Sequence, residues 1–529
     1  MLIFSYANRG FEGELIEIEA DLRRGMPGFD IVGLPDSAVR ESRERVRAAL
    51  RNSGFSFPRE HVLINLAPAG IRKEGASLDL AIALAILMKS AKFSFTAEEK
   101  VMVLGELELS GRLRSVKGVS GAIAAGIAQD IDCFIIPLSD DTFNISQQHD
   151  FIYMGNHKVF AVPDVSSAVQ TLKMIIEGKS VINDSVQKIE PGNKIASHKL
   201  IPGYPDFSDL KGMTFVKRAM VIAASGSHHM LIFGPPGGGK SMAAARFPGL
   251  MPRLRNEQAL QVSRIHSLSE KSIWPGSHGN SAMPPVITPH YSIKKDQLIG
   301  GGAKMQPGDV SLAHNGLLVL DEAAEFNPIV MRSMRNAIEN RKVEFLHRGK
   351  RIWYPASFQL MMLMNACPCG RLGQEQTRCM CKPMEILKFW KRIGSPLLDR
   401  ISIRVPAVPE NLSMKSVTKE GTTEALRRQV ERARQLQLER FKEEQFSVNS
   451  EIPAERISFF CSLSDNLHSL LSEIVNRSYF SARAVHSIMR LARTSADLDE
   501  SKNICEKHLL EAVDLRKYGD GDFFWKSLY

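Results

Sequence analysis

Apolar residues recur with two different periods along this chain, and the change of period divides it. Through residue 175, short β-like runs at Leu15–Ile18, Phe29–Val32, Val62–Leu66, Val101–Leu104 and Cys133–Pro137 alternate with stretches of helical spacing at 36–52, 77–90 and 118–129. That alternation predicts an α/β domain over 1–175. Residues 176–207 are polar, contain three prolines and sustain no period, so they read as a linker. From 208 to 408, predominantly apolar runs such as Met230–Phe233, Leu317–Leu320 and Phe358–Met364 alternate with helical stretches, the pattern of a parallel sheet buried on both faces. The remainder, 409–529, reads as almost wholly helical.

A chain of 529 residues supports about three such domains. Its 68 Lys and Arg exceed its 58 Asp and Glu by a formal +10, which permits an anionic partner without requiring one. Leu80–Met88 is the longest apolar run, about half of what a bilayer crossing needs, and the opening residues reach Arg9 and Glu12 before any signal-type apolar core. A cytoplasmic protein without a membrane partner is therefore expected. Of seven cysteines, Cys367, Cys369, Cys379 and Cys381 crowd together, which points to a metal cluster in a reducing compartment rather than a disulfide framework.

Gly234, Pro235, Pro236, Gly237, Gly238, Gly239, Lys240 and Ser241 fit G-x-x-x-x-G-K-[ST] between an apolar strand and a helix. In that context the glycines let backbone N–H groups face phosphates, Lys240 reaches the β- and γ-phosphates of ATP, and Ser241 ligates Mg²⁺. A plain Gly-rich turn is the alternative, and the fixed positions and both flanks weigh against it. Leu317–Leu320 ends in Asp321, placed to hold Mg²⁺, and Glu322, placed to polarise a water; two acids that merely begin the next helix is the alternative, and the preceding P-loop weighs against it. Asn365, at the end of the next apolar strand, is a candidate to orient that water or a loop residue with turn duties only. Arg400, in Ser395-Pro-Leu-Leu-Asp399-Arg400, either enters a neighbouring subunit's site or pairs with Asp399 within the chain. Arg483 opens a helix whose Val485, Ile488, Met489 and Ala492 face a core, and it is a candidate to contact the γ-phosphate of its own chain. The remaining stripe of His486, Arg490 and Arg493 reads as a solvated basic face.

Cys367, Cys369, Cys379 and Cys381 form C-x-C-x₉-C-x-C, and four thiolates fill a tetrahedral Zn²⁺ shell with no open position, so a structural zinc is expected. Reduced thiols or a redox pair is the alternative. Arg371, Arg378 and Lys382 around the cluster are DNA contacts or solvated charges. Lys342–Tyr354 reads as two strands around a basic turn, a β-hairpin whose His347, Arg348, Lys350 and Arg351 either meet a phosphate backbone or are the solvated charges of an ordinary surface hairpin. A second Gly-rich insertion, 291–304, carries Lys294 and Lys295 as weaker DNA-contact candidates.

Taken together, KEGASLDLAIALAIL (73–87), GPPGGGKS (234–241), PGDVSLAHNGLLVLDEAAEF (307–326), MNACPCG (364–370), PLLDR (396–400) and SARAVHSIMRLARTSADLD (481–499) resemble the magnesium-chelatase-like AAA+ ATPases, and more narrowly the YifB/ComM family. The resemblance covers nearly the whole chain. It implies an α/β AAA+ P-loop core with a basic hairpin and a four-cysteine insertion, an N-terminal Lon-protease-like domain of the ribosomal S5 domain 2 type, and a C-terminal helical lid. It further implies Walker A, Walker B, sensor-1, arginine-finger and sensor-2 roles for Lys240/Ser241, Asp321/Glu322, Asn365, Arg400 and Arg483. A homo-hexameric ring follows from the same likeness, as does a DNA helicase acting on single-stranded or branched DNA, alongside recombination proteins, in branch migration or natural transformation.

Two other readings stand beside that one. Gly75-Ala-Ser77 and Leu104–Arg112 resemble the Lon proteolytic domain, but the position matching its catalytic lysine is Ser120, with Lys117 one helical turn away, so a non-proteolytic domain is expected with Ser77 at a helix start. A magnesium-chelatase subunit driving metal insertion into a porphyrin is the other, against which stand the cysteine cluster and the lack of a D-x-S-x-S motif.

Overall fold

The structure is a computed structural model, and it describes residues 2–70, 73, 75–90, 100–138, 151–154, 157–176, 204–269, 283–302, 305–347, 350–374, 378–407, 421–478 and 480–519. Nearly all of the predicted linker lies outside these residues. The chain divides into two compact units, the first built on the N-terminal residues, with 263–273 and 346–353 grouped with it, and the second on most of the rest.

In the first unit, β1 (Leu2–Ala7), β2 (Glu14–Arg23), β3 (Gly28–Val32), β4 (His61–Ala67), β5 (Lys100–Val103), β6 (Cys133–Pro137), β7 (Phe151–Met154) and β8 (His157–Val162) form one mixed sheet of order β3-β4-β2-β1-β5-β6-β8-β7. Helices α1 (Ser37–Asn52), α2 (Asp79–Ser90), α3 (Val119–Ile127) and α4 (Val165–Ile176) accompany it. The Asp36 carboxylate accepts a hydrogen bond from Val39 N at 2.8 Å and so starts α1. Helix α2 is buried on almost every side, Leu80 through Leu84 being inaccessible, which is why its sequence is a continuous apolar run rather than an amphipathic one. Its first residue, Asp79, is a fully buried carboxylate that accepts from Arg45 Nε at 2.7 Å, from Leu107 N at 3.3 Å and from the Ser42 hydroxyl.

In the second unit, β9 (Met230–Phe233), β10 (Val286–Ile287), β11 (Leu317–Leu320), β14 (Gln359–Met364) and β15 (Ile403–Pro406) make a five-stranded sheet of order β10-β11-β14-β9-β15, every neighbour parallel. Along the chain between β11 and β14, β12 (Lys342–His347) and β13 (Lys350–Pro355) pair as the predicted hairpin, whose residues 346–353 are grouped with the first unit. Strands β9, β11 and β14 are buried along their full length, as a parallel sheet covered on both faces requires. Helices α5 (Thr214–Gly226), α6 (Lys240–Arg246), α7 (Pro328–Asn340), α8 (Pro383–Lys391) and α9 (Ser395–Leu398) belong to this core. The C-terminal helices α10 (Thr423–Arg440), α11 (Asp465–Ser478), α12 (Ala482–Leu498) and α13 (Glu506–Arg516) contribute to the same hydrophobic cluster, through residues such as Val430, Leu471, Ile488 and Leu509. A buried polar network ties α5's end to them: His228 Nε2 lies 2.8 Å from Thr494 Oγ1, and Asn449 Nδ2 donates to Asp497 Oδ2 at 2.8 Å. Among the described residues, no helix is long and apolar enough to cross a membrane.

Of the basic stripe predicted on α12, Arg490 and Arg493 are not solvated. Arg493 is 4% exposed and donates to Asp497, Ser501 O and Lys502 O, while Arg490 donates to Ile452 O at 2.9 and 2.6 Å. Helical periodicity registers the charge of these side chains but not the carbonyls that meet them from segments outside the helix.

Candidate nucleotide site and cysteine centre

Strand order brings distant residues together. Strand β14 lies between β11 and β9, so the C-terminal ends that carry Asp321, Asn365 and the Gly234 loop emerge side by side, at the edge where open parallel sheets bind ligands. Met230 pairs with Met361 and Val319 also pairs with Met361, which sets the three ends in register. The loop then turns through Gly239, whose φ of 79° is left-handed and which precedes α6.

Within that edge Ser241 Oγ donates to Asp321 Oδ2 at 3.3 Å across 80 residues of sequence. Those two oxygens fit a shared Mg²⁺, a hard cation that takes oxygen ligands, and the metal would supply charge neutralisation at the phosphates. Lys240 Nζ donates to Gly234 O at 2.9 Å, Pro235 O at 2.8 Å and Asn365 Oδ1 at 3.3 Å. Burial lowers the Lys240 pKa from its ordinary value, against the opposing pull of Asp321. Glu322 follows Asp321 with a left-handed φ of 53°, and its N–H is satisfied by Asp321 Oδ1 at 2.9 Å, so the chain is locally strained where the second acid is presented to solvent.

Arg400 and Arg483 lie together on a different group of acids. Arg400 is paired with Glu339 on α7 and donates to Pro396 O, not to Asp399, so the intrachain pairing weighed from sequence has the wrong partner. Burial, with Arg483 and Arg335 adding like charge, brings its pKa down to about 10. Arg483 donates to Asp399 at 3.3 Å and comes within 3.8 Å of Glu339. Asp399 also accepts from Ser481 Oγ and from fully buried Arg516, each at 3.3 Å. A cavity of about 480 Å³ opens there, lined by Arg341, Arg434 and Arg490 as well as by Glu339, Asp399, Arg400 and Arg483. Glu339 was missed in the sequence; its only local mark is Arg335 one helical turn earlier.

Cys367, Cys369, Cys379 and Cys381 converge, with all four sulfurs within 4.8 Å of one another. Cys367–Cys369 is 3.4 Å, and Cys369–Cys379 and Cys379–Cys367 are each 3.7 Å. Zinc–sulfur bonds of about 2.3 Å put tetrahedral sulfurs about 3.8 Å apart, so the donor set fits that metal. Burial pushes the Cys367 thiol up to about 11. Arg371, Arg378 and Lys382 are exposed around the cluster.

On the hairpin Arg351 is exposed; Arg348 and the side chains of His347 and Lys350 lie outside the described residues. Lys294 and Lys295 are exposed at the start of a short helix. The glycines that follow, Gly300 and Gly301, pack against Phe345 of β12, and Tyr354 Oη donates to Met305 O at 2.7 Å. In the first unit α2 begins at Asp79, two residues after Ser77, and the buried Lys73 donates to Pro68 O rather than to Ser77.

A Gly-rich loop ending in Lys240 and Ser241, an acid pair and a polar strand end on a parallel five-stranded sheet are the arrangement of a P-loop nucleotide-binding fold, and the family matches place the chain among the magnesium-chelatase-like AAA+ proteins. Residues 206–415, 18–140 and 420–516 match in turn the family models described as magnesium chelatase subunit ChlI, subunit ChlI of Mg-chelatase and the ChlI C-terminal region. More narrowly, the chain belongs to the YifB/ComM family. It is 32% identical over 519 residues to the competence protein ComM of Haemophilus influenzae, covering 97% of each chain. It is also 32% identical over 521 residues to YifB of Escherichia coli, covering 97% of this chain and 96% of that one. A stretch of 142 residues is 30% identical to Lon protease 2 of Bacillus subtilis, 26% of each chain.

Proposed function

We propose that this protein is an ATP-driven, ring-forming DNA translocase or helicase of the cytoplasm that promotes branch migration when DNA is recombined or taken up. The observation that carries the ATPase half is the approach of Ser241 to Asp321 at 3.3 Å with Lys240 on Asn365 at 3.3 Å: a metal-ligand pair and a phosphate-binding cation beside a polar amide. Lys240 and the loop N–H groups bind the triphosphate, Asp321 and Ser241 hold Mg²⁺, Glu322 takes a proton from the attacking water and Asn365 orients that water. Arg400 acts on a neighbour's triphosphate once it leaves Glu339, and Arg483, which shares that acid, moves with it to the γ-phosphate. Supporting the DNA half are the near full-length likeness to a protein named for competence and the basic segments at the hairpin, with Lys294, Lys295 and Arg351 exposed. Zinc at the four cysteines is structural, because four sulfurs leave no position for water. A hexamer is the assembly that gives the hairpins a common pore.

The test is ATP turnover of purified protein with single-stranded DNA, a branched junction, protoporphyrin or casein, together with strand displacement, beside Lys240→Ala. DNA-stimulated hydrolysis and strand displacement are expected, both lost in the variant, with DNA association largely retained. The three magnesium-chelatase matches favour porphyrin-linked metal insertion as the second reading, and stimulation by porphyrin alone would establish it. Cleavage of casein would restore the protease reading.

A further inference from the structure

The cysteine knuckle touches the nucleotide loop. Only Ala366 separates Asn365, which holds Lys240, from Cys367, the buried first ligand. The Ala366 carbonyl accepts from Trp390 Nε1 at 3.0 Å, and the Trp390 ring packs edge-on against Phe233, with centroids 5.0 Å apart, immediately before the Gly234 loop begins. Gly234 N in turn donates to Met364 O at 3.2 Å. On the far side of the loop the knuckle turns at Gly370, whose φ is 74° and whose N–H donates to Cys367 O at 3.0 Å. A Cβ built on Gly370 would stand 3.0 Å from Cδ of Pro236, so the knuckle backbone lies directly against the phosphate-binding loop.

We propose that the four-cysteine centre is a strut of the ATP site: its metal holds the turn at Gly370 against Pro236 and the Asn365–Cys367 link under Lys240, so that nucleotide affinity depends on the metal. The proposal rests on the zinc reading above and adds a target to it. A knuckle on the rim, remote from the P-loop, would serve its own insertion only. Here the same short segment supplies a metal ligand, the amide that meets Lys240 and the surface behind Pro236. With four sulfurs joined through one ion, Cys379 and Cys381 pin the return of the loop; with the ion gone, those ends are tied only by weak thiol contacts.

The experiment uses the full chain. Zinc content is measured by elemental analysis, and mant-ADP affinity by fluorescence, on protein as purified, after chelator treatment and after zinc is restored, with circular dichroism reporting the fold. One zinc per chain is expected, with a mant-ADP Kd about tenfold weaker after stripping and recovered on restoration. Gly370→Val gives a second arm that keeps all four cysteines: its Cβ meets Pro236 and its φ of 74° strains the turn itself, so it should lose affinity to a similar extent, with zinc content measured alongside. If stripping unfolds the chain, this variant alone decides. Zinc present but Kd unchanged in the stripped, still folded protein or in Gly370→Val overturns the coupling and leaves the zinc reading intact, whereas a chain that binds no zinc overturns both.

Discussion

Replacing Glu339 by Gln separates two jobs that Arg400 can have. The Arg400 side chain is 6% exposed and faces Glu339, which is 35% exposed, while Arg483 and Arg335 approach the same carboxylate at 3.8 and 3.5 Å from positions about half exposed. Breaking a buried ion pair costs about 3–5 kcal/mol, and the partial exposure of Glu339 with the retained Pro396 carbonyl reduces this to about 2 kcal/mol. The two exposed contacts add at most about 0.5 kcal/mol each. For a unit of this size about 2 kcal/mol lowers the melting temperature by about 3 °C. Thermal unfolding and DNA-stimulated ATPase are then measured on Glu339→Gln and Arg400→Ala. If Arg400 serves a neighbour's triphosphate, Glu339→Gln melts lower yet keeps its turnover, because the guanidinium is released rather than removed, while Arg400→Ala loses about 10³-fold or more. Equal losses of turnover in the two variants would refute this, leaving Arg400 an intrachain anchor.

Other consequences are as direct. Burial holds His228 at a pKa of about 3 and His314 at about 4, both below the ordinary 6.5, so the unfolded chain binds protons that the folded chain refuses. Their contribution is intact above pH 6.5 and is lost as pH falls toward 4; at pH 5 each costs about 2 kcal/mol, which chemical denaturation at pH 8 and pH 5 measures, and His228→Gln should flatten part of that slope. Asp79→Ala strands Arg45 and Leu107 N, and it should destabilise the first unit by about 3–5 kcal/mol in calorimetry without changing mant-ADP affinity. Ser241→Ala and Asp321→Asn should each raise the Mg²⁺ concentration needed for hydrolysis. If both ligate one ion, the two combined should cost less than the sum of the two; strict additivity in the magnesium titration would separate them.

Legibility followed how local the cause was. The strand–loop–helix around Gly234–Ser241, the strand ending at Asp321 and the β12–β13 hairpin could be read because each is spelled in a few contiguous residues whose period and turn chemistry agree. Helices α1, α2 and α3 fall within two residues of their expected bounds for the same reason. Strand β1 was missed because LIFSYA opens the chain without a preceding turn signal, and β8 because HKVFAV begins with two polar residues. In the site, the pairing of Arg400 with Glu339, the capture of Arg490 and Arg493 by carbonyls and the contact of Gly370 with Pro236 all arise from chain crossings that no periodicity encodes.

The arginines gain a further meaning from where their acids sit. Asp399 and Arg400 are adjacent, yet Asp399 accepts from α12 through Arg483 and Ser481 and from α13 through Arg516, while Arg400 reaches α7. One peptide unit therefore joins the helix that follows the acid pair to two helices of the C-terminal region. Arg404, a few residues on in β15 and wholly buried, adds a second tie by donating to Tyr518 O at 2.9 Å and to Leu398 O at 2.7 Å. A displacement of α12 or α13 must pull on Asp399, and because the next residue is Arg400 it must change the angle at which that guanidinium meets Glu339. The C-terminal helices are thus coupled to the finger candidate through covalent adjacency and three hydrogen bonds.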